Sequence, residues 1–140
     1  FRTSWVYSTS GHNFFLTMKK LCQEREELKG VSDQMGVPTS NQFIAEQMKT
    51  IILHLTECNT GIYHLVPDGS SSWYEFAQEI IRQTNPQFDL ESLYPIQSHE
   101  FLTKTKRPKN GILNNVKIKQ SFNLTLNNWQ AELEKVIDEA

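Results

Sequence analysis

Phe1-Arg2-Thr3-Ser4-Trp5-Val6-Tyr7 alternates and is rich in aromatic and β-branched side chains, which predicts a strand from the first residue. A strand needs neighbours, so an opening inside one leads us to expect further chain upstream. Ser8 to Asn13 is a polar turn. From Phe14 to Glu27, residues Phe14, Leu16, Met18, Leu21 and Cys22 suit one helical face, and Lys19, Lys20, Glu24 and Arg25 lie elsewhere. Gly30 closes that unit, and Val31 falls in a short strand. Asp33 to Ser40 reads as a loop in which Pro38 disfavours helix at Val37 and Thr39 or Ser40 caps the next helix. That helix, from Asn41 to about Glu57, carries the stripe Phe43, Ile44, Met48, Ile51, Ile52 and Leu55. Asn59-Thr60-Gly61 stops it. Ile62 to Val66 is nearly continuously apolar, as in a parallel strand buried on both faces. Ser70-Ser71-Ser72 caps a helix from Trp73 to about Gln83, with Trp73, Phe76, Ala77, Ile80 and Ile81 inward. Leu93 to Ile96 suits an edge strand, where Pro95 is tolerated. A basic and polar stretch comes after it, and Thr125 to Glu139 forms a last helix with Leu126, Trp129, Leu133, Val136 and Ile137 inward. This alternation of strand and helix predicts an α/β fold.

Composition narrows the function. The 140 residues, 38% hydrophobic and 21% charged, suffice for one packed domain and are too apolar for a disordered chain. No apolar run approaches the roughly 20 residues that span a bilayer, so no membrane partner is expected. A net charge of −2 argues against nucleic acid as a partner. Cys22 and Cys58 lack metal-ligand spacing and read as reduced residues of a cytoplasmic protein. A Gly-rich dinucleotide turn and a P-loop are both missing, as is a nucleophile elbow. His12, His54, His64 and His99 do not fall at zinc spacings. Four residues after Tyr7, Tyr63, Tyr74 and Tyr94 stand Gly11, Pro67, Gln78 and Ser98, so the Tyr-x-x-x-Lys pair of short-chain reductases is absent too. The chain encodes no complete catalytic set.

Three segments still suit ligand contact. Thr3 to Tyr7, running into Asn13-Phe14, places hydroxyls and an indole between a strand end and a helix start, where open α/β sheets bind ligands. A space-filling core Trp and Tyr is the plainer alternative. Asp33 to Ser40 is either a binding loop or only a capped strand-to-helix connection. Lys104-Thr105-Lys106-Arg107-Pro108-Lys109-Asn110 is either a partner for a diphosphate or a solvated charge run.

In this order, the three segments resemble one family, the dTDP-4-dehydrorhamnose reductases, over Phe1 to about Ile137. The markers are Arg2-Thr3-Ser4-Trp5-Val6-Tyr7, Asn13-Phe14, Glu24-Arg25-Glu26-Glu27-Leu28, Asp33-Gln34-x-Gly36-x-Pro38-Thr39 and Tyr63-His64-Leu65-Val66. Further on they are Ser72-Trp73-Tyr74, Arg107-Pro108-x-Asn110 with Leu113-Asn114, and Leu124 to Trp129. The resemblance implies the C-terminal part of an NAD(P)-binding, Rossmann-type extended short-chain dehydrogenase: mainly the sugar-nucleotide lobe, with late sheet elements near 1–8 and 41–66. The NADPH site and the catalytic Tyr and Lys would lie upstream. The reaction implied is reduction of dTDP-4-dehydro-L-rhamnose, which serves cell-surface polysaccharide synthesis. Trp5, Asn13, Phe14, Asp33, Gln34, Pro38, Thr39 and Arg107 would contact the dTDP-sugar, and Thr3 and Ser4 would lie near the nicotinamide.

Some positions depart from the family pattern. Gly111 and Ile112 stand where Ser and Arg are usual, and His12 where Asn is. Gln42 replaces a carboxylate that holds magnesium in some dimeric members, so a Mg2+-bridged dimer is not expected. The chain by itself is expected to be inactive and prone to self-association through uncovered edges. Two alternatives are a non-catalytic regulatory subunit of the same fold, as in relatives that modulate methionine adenosyltransferase, and another nucleotide-sugar enzyme such as an epimerase.

Overall fold

The computed structural model describes residues 1–101, 105 and 107–139. Strands β1 (Val6–Tyr7), β2 (Leu28–Val31), β3 (Met35–Gly36), β4 (Thr39–Ser40), β5 (Ser71–Ser72) and β6 (Leu93–Ile96) intersperse with helices α1 (Phe14–Glu24), α2 (Asn41–Ile52), α3 (Trp73–Thr84), α4 (Val116–Phe122) and α5 (Trp129–Asp138). Among the described residues these strands form two-stranded sheets. β1 pairs parallel to β4, β2 parallel to β6, and β3 antiparallel to β5. Parallel pairing with intervening helices is the α/β arrangement that the sequence pattern predicts.

Helix α3 is the hub and packs on α1, α5, β2, β5 and β6. Its sequence explains this: Phe76, Ala77, Ile80 and Ile81 recur at helical spacing and are fully buried. Ser72 and Glu75 close a capping box at its start, so this helix begins where the serine run predicts. Ser40 likewise caps α2, its Oγ accepting from the Phe43 N–H at 3.0 Å. The main core gathers Tyr7, Phe15, Met18, Phe76, Trp129 and Leu133 with their neighbours. A second cluster joins Phe43 and Ile51 of α2 to Tyr63, Leu65, Ile118 and Phe122.

Several expected boundaries move. The opening strand is confined to Val6–Tyr7 because Trp5 adopts φ 46, a left-handed backbone that breaks extended pairing. For a side chain of this bulk that backbone costs about 1–2 kcal/mol. Upstream, only Arg2 pairs, as a parallel bridge to His64. The 62–66 segment is a single bridge rather than a strand; Tyr63, Leu65 and Val66 are buried, as expected, but Ile62 is exposed. Helix α1 stops at Glu24, where the Arg25 N–H bonds the Leu21 carbonyl, and Phe15, left out of the predicted face, is fully buried. Helix α2 stops at Ile52, leaving Ile52 and Leu55 exposed. Helix α5 starts at Trp129 instead of Thr125, because Asn128 caps it by accepting from the Ala131 N–H at 2.9 Å. Helix α4 lies in the basic and polar stretch, where no helix is expected. Gly30 is inside β2, not after a helix, and for packing: a Cβ there would lie 2.8 Å from Cα of Tyr74.

Tyr7 is 1% exposed and its hydroxyl, buried in the main core, has no hydrogen-bond partner among the described residues. Burial, reinforced by the Glu132 carboxylate, pushes the phenol well above its usual value. Folding therefore disfavours its ionisation, and stability falls as pH rises above about 10, where the unfolded Tyr releases its proton. Tyr7→Phe is expected to be neutral or to stabilise by about 1 kcal/mol, and to lose part of this alkaline sensitivity. Thermal melting of both proteins at neutral and alkaline pH checks this; a clear loss of stability at neutral pH would contradict it.

Candidate functional site

Where α1 faces β2, a cleft of about 260 Å³ opens. One wall comes from α1, whose Phe14, Thr17 and Leu21 follow the helical repeat and so share a face. Lys29, Gly30 and Val31 of β2 form another, Trp73 stands at the start of α3, and Gln34, Ser98, Phe101 and Arg107 complete the rim. Aromatic and aliphatic walls with a few polar groups, including the Lys29 and Arg107 cations, suit a planar ring joined to an anion.

Aromatic rings continue from this cleft into the core. Trp73 stacks on Trp5 with centroids 3.7 Å apart and planes inclined by 13°. It also leans on Phe14 at 4.7 Å, and Phe14 stacks on Phe76 at 5.5 Å. Trp5 is half-buried and does not itself line the cleft. Gly36 makes room for it: a Cβ there would collide with the indole.

Of the expected site residues, the fold thus brings Phe14, Gln34 and Arg107 into one cleft. The others are not among the residues that line it. Asn13 caps α1, its Oδ1 accepting from the Leu16 N–H at 3.1 Å while Nδ2 donates to the Ser8 and Ser10 carbonyls. Ser4 Oγ and Thr39 Oγ1 both donate to the Val37 carbonyl, at 3.0 and 3.1 Å. Pro38 and Thr39 are buried, and Thr3 is exposed.

Asp33 is a brace. It accepts from the Ser98 N–H at 2.7 Å and the Ser98 hydroxyl at 2.9 Å, and pairs with Lys109 Nζ at 3.0 Å. These contacts tie the segments that carry Ser98 and Lys109 to Asp33. Burial would raise the Asp33 carboxyl, but the bonds from Lys109 and Ser98 outweigh it and hold it below the usual carboxylate range. The basic run divides accordingly, with Arg107 at the cleft and Lys109 on Asp33; Lys104 and Lys106 lie outside the described residues. A depressed carboxyl contributes stability above its unfolded value, near pH 4, which is lost as pH falls through the lower folded value. Asp33→Asn is therefore expected to flatten the acid limb of the melting temperature against pH. An unchanged acid limb would contradict this role.

The sequence pattern assigns Trp73 to a core stripe, yet it is half-buried and walls the cleft. Its place as the first residue after the Ser72 cap is the available signal, since a ring at a helix start can leave the core. Lys29, Ser98 and Phe101 carry no such signal. Gln42 donates to Glu139 at 2.9 Å, and among the described residues no group of three His, Cys, Asp or Glu side chains is placed to hold a metal. No helix among them is long and apolar enough to cross a membrane.

Short parallel strand pairs with covering helices define an α/β lobe with an aromatic-walled cleft. More particularly, a family model described as the RmlD substrate binding domain matches residues 1–140, and the chain belongs to that family. The dTDP-4-dehydrorhamnose reductase of Escherichia coli (strain K12) is 37% identical over 144 residues, covering 99% of this chain and 48% of that protein. Among solved structures, the dTDP-4-dehydrorhamnose reductase from Bacillus anthracis in complex with NADP is similar with a TM-score of 0.88 and 33% identity, over 99% of this chain and 47% of that one. Its counterpart from Clostridium acetobutylicum gives 0.86 and 36% over the same shares. The chain spans about half the length of the relatives it matches.

Proposed function

We propose that this chain is the sugar-nucleotide-binding lobe of a dTDP-4-dehydrorhamnose reductase, which reduces the C4 ketone of dTDP-4-dehydro-L-rhamnose with NADPH. The observation that carries this reading is the cleft itself, which unites Phe14, Gln34 and Arg107 from three separate sequence segments. Phe14 and Trp73 offer ring faces for the thymine, Gln34 hydrogen-bonds along the nucleotide, and Arg107 offers the diphosphate a forked, permanently charged partner. Trp5 borders the sugar. Asn13, Asp33, Pro38 and Thr39 act behind these groups by holding α1 and the 33–40 loop in place.

The residues present do not form a dinucleotide cradle: the six glycines include no Gly-x-Gly-x-x-Gly turn. NADPH supplies the hydride when bound; this lobe's part is to orient the ketone, with Thr3 and Ser4 nearest the nicotinamide. The exposed thiol of Cys58 suits a reducing cytoplasm. Exposed Phe1, Val6, Leu53 and Ile62 would favour self-association of the lobe alone.

Calorimetry on the full-length protein tests this reading. dTDP-L-rhamnose is expected to bind, and Trp5→Ala to weaken it more than it weakens NADPH. Failure to bind dTDP-sugars, or equal loss of both ligands, would refute the reading or the Trp5 role respectively.

A further inference from the structure

We infer that Trp73 is a positioning residue for sugar recognition: lining the cleft and stacked on Trp5, it holds the Trp5 indole in the one orientation that serves the hexose, in a seat that Gly36 keeps open. This deepens the proposed function and rests on it.

Three observations converge on the pair. Trp5 has a left-handed backbone, φ 46, which local preference opposes, so neighbours must impose it. One neighbour is Trp73, whose ring lies nearly parallel to the indole with centroids 3.7 Å apart. The third is the vacant volume at Gly36. Its φ is not in the left-handed region and it lies within β3, so backbone freedom does not call for glycine there; the indole does, since any Cβ would strike it. Trp73 meanwhile walls the cleft and touches Phe14 at 4.7 Å. A nucleotide held against Trp73 and Phe14 therefore braces the ring that in turn braces Trp5. In this arrangement the nucleotide and sugar portions of one ligand are read by rings in direct contact, and Trp73 acts on the sugar through Trp5.

The test separates the sugar increment from nucleotide binding. Full-length wild type, Trp73→Ala, Trp73→Phe and Gly36→Ala are titrated with dTDP and with dTDP-L-rhamnose, and their melting temperatures are recorded. Gly36→Ala is expected to lower the advantage of dTDP-L-rhamnose over dTDP about tenfold, beyond any change in dTDP affinity itself. Trp73→Ala is expected to lose the same advantage, and Trp73→Phe, which restores a ring face, to recover most of it. A simple loss of stability would lower the melting temperature without removing the sugar increment selectively. Full retention of the increment in folded Trp73→Ala, or in folded Gly36→Ala, overturns the inference alone. If wild type binds neither dTDP compound, the functional reading fails and the inference falls with it. Should Gly36→Ala not fold, the Trp73 pair still decides.

Discussion

Phe76→Ala is expected to destabilise the protein by about 3–5 kcal/mol, the range for deleting a buried aromatic ring. Phe76 is fully buried at the centre of the main core, with ring centroids 5.2 Å from Tyr7, 5.5 Å from Phe14 and 5.8 Å from Trp129. Removing it leaves a cavity that α1, α3 and α5 cannot all collapse into, because α3 is also packed on β2 and β6. Phe14 would lose its stacking partner, so the cleft wall should loosen along with the core. Urea unfolding measures the first effect and dTDP affinity the second. A cost below about 1 kcal/mol would show that the site repacks and that α3 is not the hub of the fold.

Arg107→Ala should have the largest effect on binding, a loss of about 10–100-fold for dTDP, matching the roughly 1.5–3 kcal/mol of a hydrogen bond to a charged group. The residue is exposed at the cleft rim, so folding should be unaffected. Arg107→Lys should recover part of the loss, since a lysine keeps the charge without the fork. The wild-type affinity should also weaken with salt more steeply than that of Arg107→Ala. Calorimetry at two ionic strengths checks both statements, and unchanged affinity in the alanine variant would remove Arg107 from the site. Lys109, by contrast, is paired with Asp33 and should act only through that brace.

Much of the architecture is legible in the chain because it rests on local rules. The stripe Phe76, Ala77, Ile80, Ile81 and the caps Ser40 and Ser72 use contacts within a few residues, and each lies where the pattern puts it. Helix α4 is not legible, since seven residues in a polar stretch bury only Ile118 and Phe122, too few to display a period. The opening strand fails for the opposite reason: its composition is extended, but the Trp5–Trp73 stack and the collar at Gly36 override that preference at one residue.

The same division applies to the site. Its residue types, the aromatic Phe14, the amide Gln34 and the guanidinium Arg107, are evident from the chain, as is the family they resemble. That these three share a cleft, that Asp33 closes on Ser98 and Lys109, and that Trp73 both lines the cleft and stacks on Trp5 were decided by tertiary structure. The physical reason is the parallel pairing of β2 with β6, which sets Leu28 opposite Leu93 and Val31 opposite Ile96. Helical periods and caps are read within one stretch of chain. A register between strands this far apart depends on the packing of everything between them, and in this protein that register shapes the cleft.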